Sequence, residues 1–156
     1  MKSVSAAFGI ARDAIALAVF SGQELECWKI RSLPNNEEKA RGSALAFVRW
    51  ATATFRFRAA GLESEGLGSR RKELLREEIC CALREQGVPI LTTAPEQLYL
   101  AFRNPPAKKR GDLRRIVSTI LPQLQAYRSD LPLLDAVALG LYLETEHLLA
   151  INASNE

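Results

Sequence analysis

The stretch VSAAFGIARDAIALAVFSGQELECWKIRSL, residues 4–33, decides the fold. It holds three apolar runs of strand length separated by turn chemistry. Val4 to Ala11 reads as a buried strand, and Arg12-Asp13 as a tight reversal. Ile15 to Phe20 reads as a second strand, Ser21-Gly22-Gln23 as a second turn, and Leu25 to Leu33 as a third strand. Runs this short, bounded by Asp, Ser and Gly, are strands rather than helices. The expectation is an antiparallel three-stranded meander to which the rest of the chain adds helices and further strands.

Composition narrows the class. A chain of 156 residues is one domain by size, and 47% hydrophobic residues supply a core. The expected division is a single domain over residues 1–150 with a C-terminal tail at 151–156. A net charge of +3 permits a nucleic-acid partner without demanding one. Cys27, Cys80 and Cys81 are odd in number and lack metal-ligand spacing. That pattern indicates reduced thiols and a cytoplasmic setting. No apolar run reaches the roughly 18 residues that span a bilayer. Arg12 and Asp13 interrupt what would be a signal-peptide core. No Walker loop, nucleophile elbow or zinc spacing is present, and His147 is the only histidine.

Beyond the meander, Asn36 is placed to cap a helix over Glu37 to Arg58, with Glu37 and Glu38 in its first turn. Ala44, Leu45, Val48, Ala51, Thr52 and Phe55 form its core stripe by helical spacing. Phe47, Trp50 and Phe57 fall outside that stripe, so the last helix or a second subunit must cover them. A homodimer through this face is expected. Ala59 to Glu63 reads as a short buried parallel strand that delivers Glu63 at its carboxyl end, where open sheets commonly bind ligands. A second helix then runs from Arg70 to Gln86, capped by Ser69 and stopped by Gly87, and Val88 to Leu91 is the next strand. Pro95 opens a short helix to about Phe102. Lys108-Lys109-Arg110 form a basic loop, Asp112 caps a helix that Pro122 ends, and the last helix covers Leu131 to Ala150.

This order of elements resembles the ribonuclease H-like fold, and within it the RuvC-type Holliday junction resolvases. The local matches are Phe8-Gly9-Ile10 before a hairpin, Gly61-Leu62-Glu63-Ser64, Gly87-Val88-Pro89-Ile90 followed by Ala94-Pro95, and Leu134-Asp135-Ala136-Val137-Ala138-Leu139-Gly140. The resemblance implies an α/β fold: a five-stranded mixed sheet, three strands antiparallel and two parallel, with helices on both faces. It also implies cleavage of nucleic acid by paired Mg²⁺ or Mn²⁺ ions, which carboxylates must hold together. Glu63 and Asp135 stand at matching positions as catalytic residues and metal ligands. The chain departs from the pattern at Ala11, where the family carries its first-strand Asp, and at Pro132, where an acid commonly precedes the final Asp. Asp13 and Glu65 are the nearest candidates for a displaced acid.

Two outcomes follow from that departure. One is a degenerate domain that binds nucleic acid or oligomerises with weak or no nuclease activity and no cofactor. The other is an active Mg- or Mn-dependent endonuclease using Glu63, Asp135 and Asp13. In either case Lys108, Lys109, Arg110, Arg114 and Arg115 are the candidates for phosphate contacts, with DNA ahead of RNA as the partner and no membrane.

Overall fold

The protein is described by a computed structural model covering residues 3–64, 68–102 and 108–154. β1 (Ser3–Ile10), β2 (Ala14–Ser21) and β3 (Glu24–Ser32) form the expected meander. α1 (Glu37–Thr54) leads to β4 (Arg56–Glu63), α2 (Arg70–Glu85) to β5 (Ile90–Thr93), and α3 (Pro95–Ala101), α4 (Arg110–Ile120) and α5 (Leu131–Ser154) follow. A 3-10 turn at Pro122–Tyr127 joins α4 to α5. The sheet order is β3-β2-β1-β4-β5, with β1–β2 and β2–β3 antiparallel and β1–β4 and β4–β5 parallel. No helix among the described residues is long and apolar enough to cross a membrane.

Both faces of the sheet are covered, which is why its central strands read as nearly continuous apolar runs. Val4, Ala6, Phe8, Ile15, Leu17 and Val19 face α1 and α2, and Ala7, Ala16, Ala18 and Phe20 face α5 and α4. Three of those four residues on the α5 side are alanines, so α5 can lie close to the sheet. At Gly9 the approach is close enough that a Cβ would run into the Pro132 carbonyl oxygen. That contact fixes the first turn of α5 over the end of β1.

The structure corrects several element boundaries. α1 ends at Thr54 rather than Arg58, and Phe55 is its C-cap. β4 therefore starts at Arg56 and carries Phe57. The buried face of α1 is Ala40, Ala44, Phe47, Val48 and Ala51, while Leu45, Thr52 and Phe55 are only half-buried. The stripe is thus rotated toward Phe47, which belongs to the core and not to an interface. Phe47 packs edge-on against Phe8 (6.4 Å) and stacks on Trp50 (5.7 Å). Phe57 stacks on Phe55 at 5.7 Å. α5 gives α1 no cover, because it packs on the opposite face of the sheet. Of the three aromatics assigned to a subunit interface, only Trp50 is exposed, at 39%, with the Lys29 ammonium 6.0 Å from its ring centre. α5 extends to Ser154.

Candidate functional site

The carboxyl ends of the parallel pair β1 and β4 lie beside the first turns of α2, α4 and α5. Each of those helices has a local reason to be there. Ser69 caps α2 by accepting the Lys72 N–H, and Arg71 then ties the start of α2 to two loops. Its guanidinium donates to the carbonyls of Arg12 (2.7 Å), Pro34 (2.7 Å) and Asn35 (2.9 Å). α4 begins at Arg110, two residues before the expected Asp112 cap. Asp112 sits in its first turn and accepts the Lys108 N–H at 3.2 Å. The inner face of α4, with Leu113, Ile116 and Val117, joins the core under α5. Arg110 and Arg114, four residues apart, fall on one side of that helix.

These elements bring Glu63 and Asp135 together as the resemblance implied, and place a guanidinium on each. Arg110 donates from Nη1 and Nη2 to the two Glu63 oxygens, at 2.8 and 3.1 Å. Arg114 donates from Nε and Nη2 to the two Asp135 oxygens, both at 2.9 Å. Arg110 also stands 3.5 Å from Asp135, which links the two pairs. Such two-pronged contacts are the strong form of the ion pair. Both carboxylates are only 11% exposed. Burial alone would lower the Arg110 pKa. The hydrogen bond with Glu63 and the charges of Glu63 and Asp135 overcome that effect and raise it, so Arg110 is a fixed cation.

A cavity of about 160 Å³ opens beside this network, lined by the four charged residues together with Ala11, Pro132 and Lys72. Ala11 and Pro132, the two positions where the chain lacks an acid, thus border the cavity. Asp13 does not line it. It is exposed in the β1–β2 hairpin, where its carbonyl accepts the Leu33 N–H at 2.7 Å. Glu65 lies outside the described residues.

Among the described residues, the donor set does not fit a two-ion centre. Two hard cations need several carboxylate oxygens each. The described residues supply two carboxylates here, both already bonded to guanidinium groups. Among the described residues no group of three His, Cys, Asp or Glu can hold a metal ion.

The five basic residues expected to meet phosphate divide into two sets. Arg110 and Arg114 line the cavity, whereas Lys108, Lys109 and Arg115 are turned to solvent, with Arg115 paired to Asp112 at 3.0 Å. Sequence reasoning missed Lys72 and missed that Arg110 and Arg114 would neutralise the two acids. The available signal was their i, i+4 spacing just after the basic loop.

Comparison with known proteins agrees with this topology. The structure of T. thermophilus RuvC in complex with a Holliday junction substrate matches with a TM-score of 0.67 and 19% identity, over 90% of this chain and 90% of that one. A second Thermus thermophilus RuvC structure matches with a TM-score of 0.69 and 20% identity, over 91% and 92% of the two chains. Neither a protein-family model nor a curated protein matches the sequence. Over about 90% of its length the chain has the fold of these RuvC structures.

Proposed function

We propose that this chain is a RuvC-like module that binds nucleic acid without metal-dependent cleavage. One observation carries the reading: Arg110 and Arg114 occupy Glu63 and Asp135 with two-pronged hydrogen bonds, where a RuvC-type nuclease would need those carboxylates for cations. The missing acids at Ala11 and Pro132 point the same way. The similarity to RuvC bound to a Holliday junction supports DNA, and branched DNA in particular, as the ligand. The exposed Lys108, Lys109 and Arg115 supply sequence-independent attraction to its backbone.

The test pairs binding with cleavage on four-way junction, duplex and single-stranded DNA, with Mg²⁺ and with Mn²⁺. Salt-sensitive binding without cleavage is expected. Robust cleavage that Glu63→Gln abolishes overturns the reading and restores the active endonuclease. The converse experiment is Ala11→Asp combined with Arg110→Ala and Arg114→Ala. That variant should gain Mn²⁺ binding, because it restores an acid and frees two others. A homodimer keeps one observation in its favour, the exposed Trp50 ring. Sedimentation equilibrium of the wild type against Trp50→Glu decides it.

A further inference from the structure

The cavity beside Glu63 and Asp135 carries a charge imbalance. Among the described residues, Lys72, Arg110 and Arg114 line it against two carboxylates. Arg110 and Arg114 spend two donors each on those carboxylates, and a guanidinium has five. Lys72 has no hydrogen bond or ion pair from its ammonium to any described residue, although it is half-buried. It also stands in the first turn of α2, where the helix dipole adds positive rather than negative potential. A cation placed so, with its own helix opposing it and no partner among the described residues, is stabilised by an anion that enters the cavity.

From this we propose that the cavity is a seat for a single phosphate group, bound by the Lys72 ammonium and the spare guanidinium donors of Arg110 and Arg114. Its volume of about 160 Å³ is well below the roughly 300–1,000 Å³ of pockets that enclose a whole small molecule. It therefore takes one group and leaves the remainder of the ligand outside. A tetrahedral phosphate oxyanion suits donors that converge from two helices, and Arg forks and Lys point charges are the side chains that bind it. The group can belong to a phosphodiester of nucleic acid, which rests on the function proposed above, or to a free phosphate compound, which does not. In the diester case the backbone is held at the very place where a nuclease of this fold would cut it, and no bond is broken.

The experiment compares wild type, Lys72→Gln and Lys72→Arg in two assays. The first is thermal stability in millimolar inorganic phosphate. The second is four-way junction affinity as a function of salt. A diester seat predicts that Lys72→Gln weakens junction binding about tenfold, the effect of one charge-assisted hydrogen bond. The slope of log affinity against log salt should fall by about 0.9, one phosphate contact, and Lys72→Arg should retain most of both. A seat for free phosphate predicts that phosphate raises the melting temperature of the wild type and not of Lys72→Gln, with junction affinity unchanged. If Lys72→Gln matches the wild type in both assays, the seat does not exist. An unfolded Gln variant leaves the wild type to decide, since a protein neither stabilised by phosphate nor displaced from the junction by it also overturns the seat. Junction binding lost with Lys108→Gln and Lys109→Gln but untouched at Lys72 removes the diester seat and keeps the proposed function. Phosphate stabilisation through Lys72 without any nucleic-acid binding does the reverse.

Discussion

β4 and α5 meet through charge twice, and the two meetings are built differently. At the carboxyl end of β4, Glu63 and Asp135 share two arginines beside a cavity that also holds Lys72. At the other end, Arg58 of β4 donates to both oxygens of Glu144 on α5, at 3.0 and 3.2 Å, and the Ser5 hydroxyl donates to the same carboxylate. Glu144 is 3% exposed. A cavity lies beside this cluster too, again of about 160 Å³, but Ala6, Ala59, Leu91 and Leu143 line much of it. One carboxylate, one guanidinium and one hydroxyl close on each other with no cation to spare. The Glu63 end has a positive surplus and a more open set of donors. The difference separates a charge cluster that holds helix to sheet from one that also retains capacity for a ligand.

The largest expected effect tests the closed end. Arg58→Met removes the guanidinium from a carboxylate that remains buried. Breaking a buried pair from one side costs roughly 3–5 kcal/mol. Arg58 is itself 42% exposed, which screens the interaction, so about 3 kcal/mol is expected in urea unfolding. Adding Glu144→Leu should recover most of the loss, because the stranded charge leaves with it. If Arg58→Met is as mild as a surface change, the Glu144 cluster is not the helix-to-sheet anchor described.

The next contrast is steric. At Gly9 an added methyl meets backbone, the Pro132 carbonyl, whereas at Gly61 it meets the end of the Leu143 side chain. Backbone cannot step aside and a leucine rotamer can. Overpacking costs about 1–3 kcal/mol, so Gly9→Ala is expected near the top of that range and Gly61→Ala near the bottom. Gly9→Ala should also lift the first turn of α5 and with it Asp135. Chemical shifts around Asp135 would then move in that variant and stay put in Gly61→Ala.

The arginines of the cavity rank third. Arg110 serves Glu63 alone and touches Asp135, whereas Asp135 has Arg114 as well. Arg110→Met takes from Glu63 the guanidinium bonded to it and should cost about 1–3 kcal/mol, as for a lost hydrogen bond between charged groups. Arg114→Met should cost less, since Arg110 stays beside Asp135. The double variant should lose more than the two single losses added, because each arginine partly covers for the other. Additive losses would mean that the two pairs are independent and that the 3.5 Å link between them does nothing.

The meander was legible because its apolar runs and turn residues agree with one another at every position from Val4 to Leu33. The meeting of Glu63 and Asp135 was legible only through the resemblance, since nothing local in either segment names the other. The end of α1 was misread for want of a Gly or Pro between Thr54 and Arg56. The alternation Phe55, Arg56, Phe57, Arg58 was the sign of a strand, with period two where a helix needs 3.6. The basic run at Lys108 was legible as charge but not as structure. A carboxylate partner 47 residues away leaves no trace in a window of sequence.

The smallest effect concerns how α4 is held so that its arginines reach the cavity. Asp112 stands in the first turn of that helix, accepts the Lys108 N–H, and pairs with Arg115. The hydrogen bond from Lys108, helped by the charges of Arg115 and Lys109, holds its carboxyl below the usual carboxylate range. A carboxylate whose folded pKa is lowered stabilises the fold fully above its unfolded pKa, and loses that contribution as the pH falls through the folded value. The loss therefore begins below about pH 4. Protonation frees Lys108 and the start of α4, the end of the helix that carries Arg110, while the Glu144 end has no share in it. Amide exchange, corrected for its intrinsic pH dependence, should show residues 108–115 opening on acidification ahead of residues 140–145. In Asp112→Asn the same opening should already be present at neutral pH and change little on acidification. If residues 108–115 and 140–145 loosen together, and Asp112→Asn leaves that unchanged, α4 is secured by its buried face alone and Asp112 has no part in holding the arginines in place.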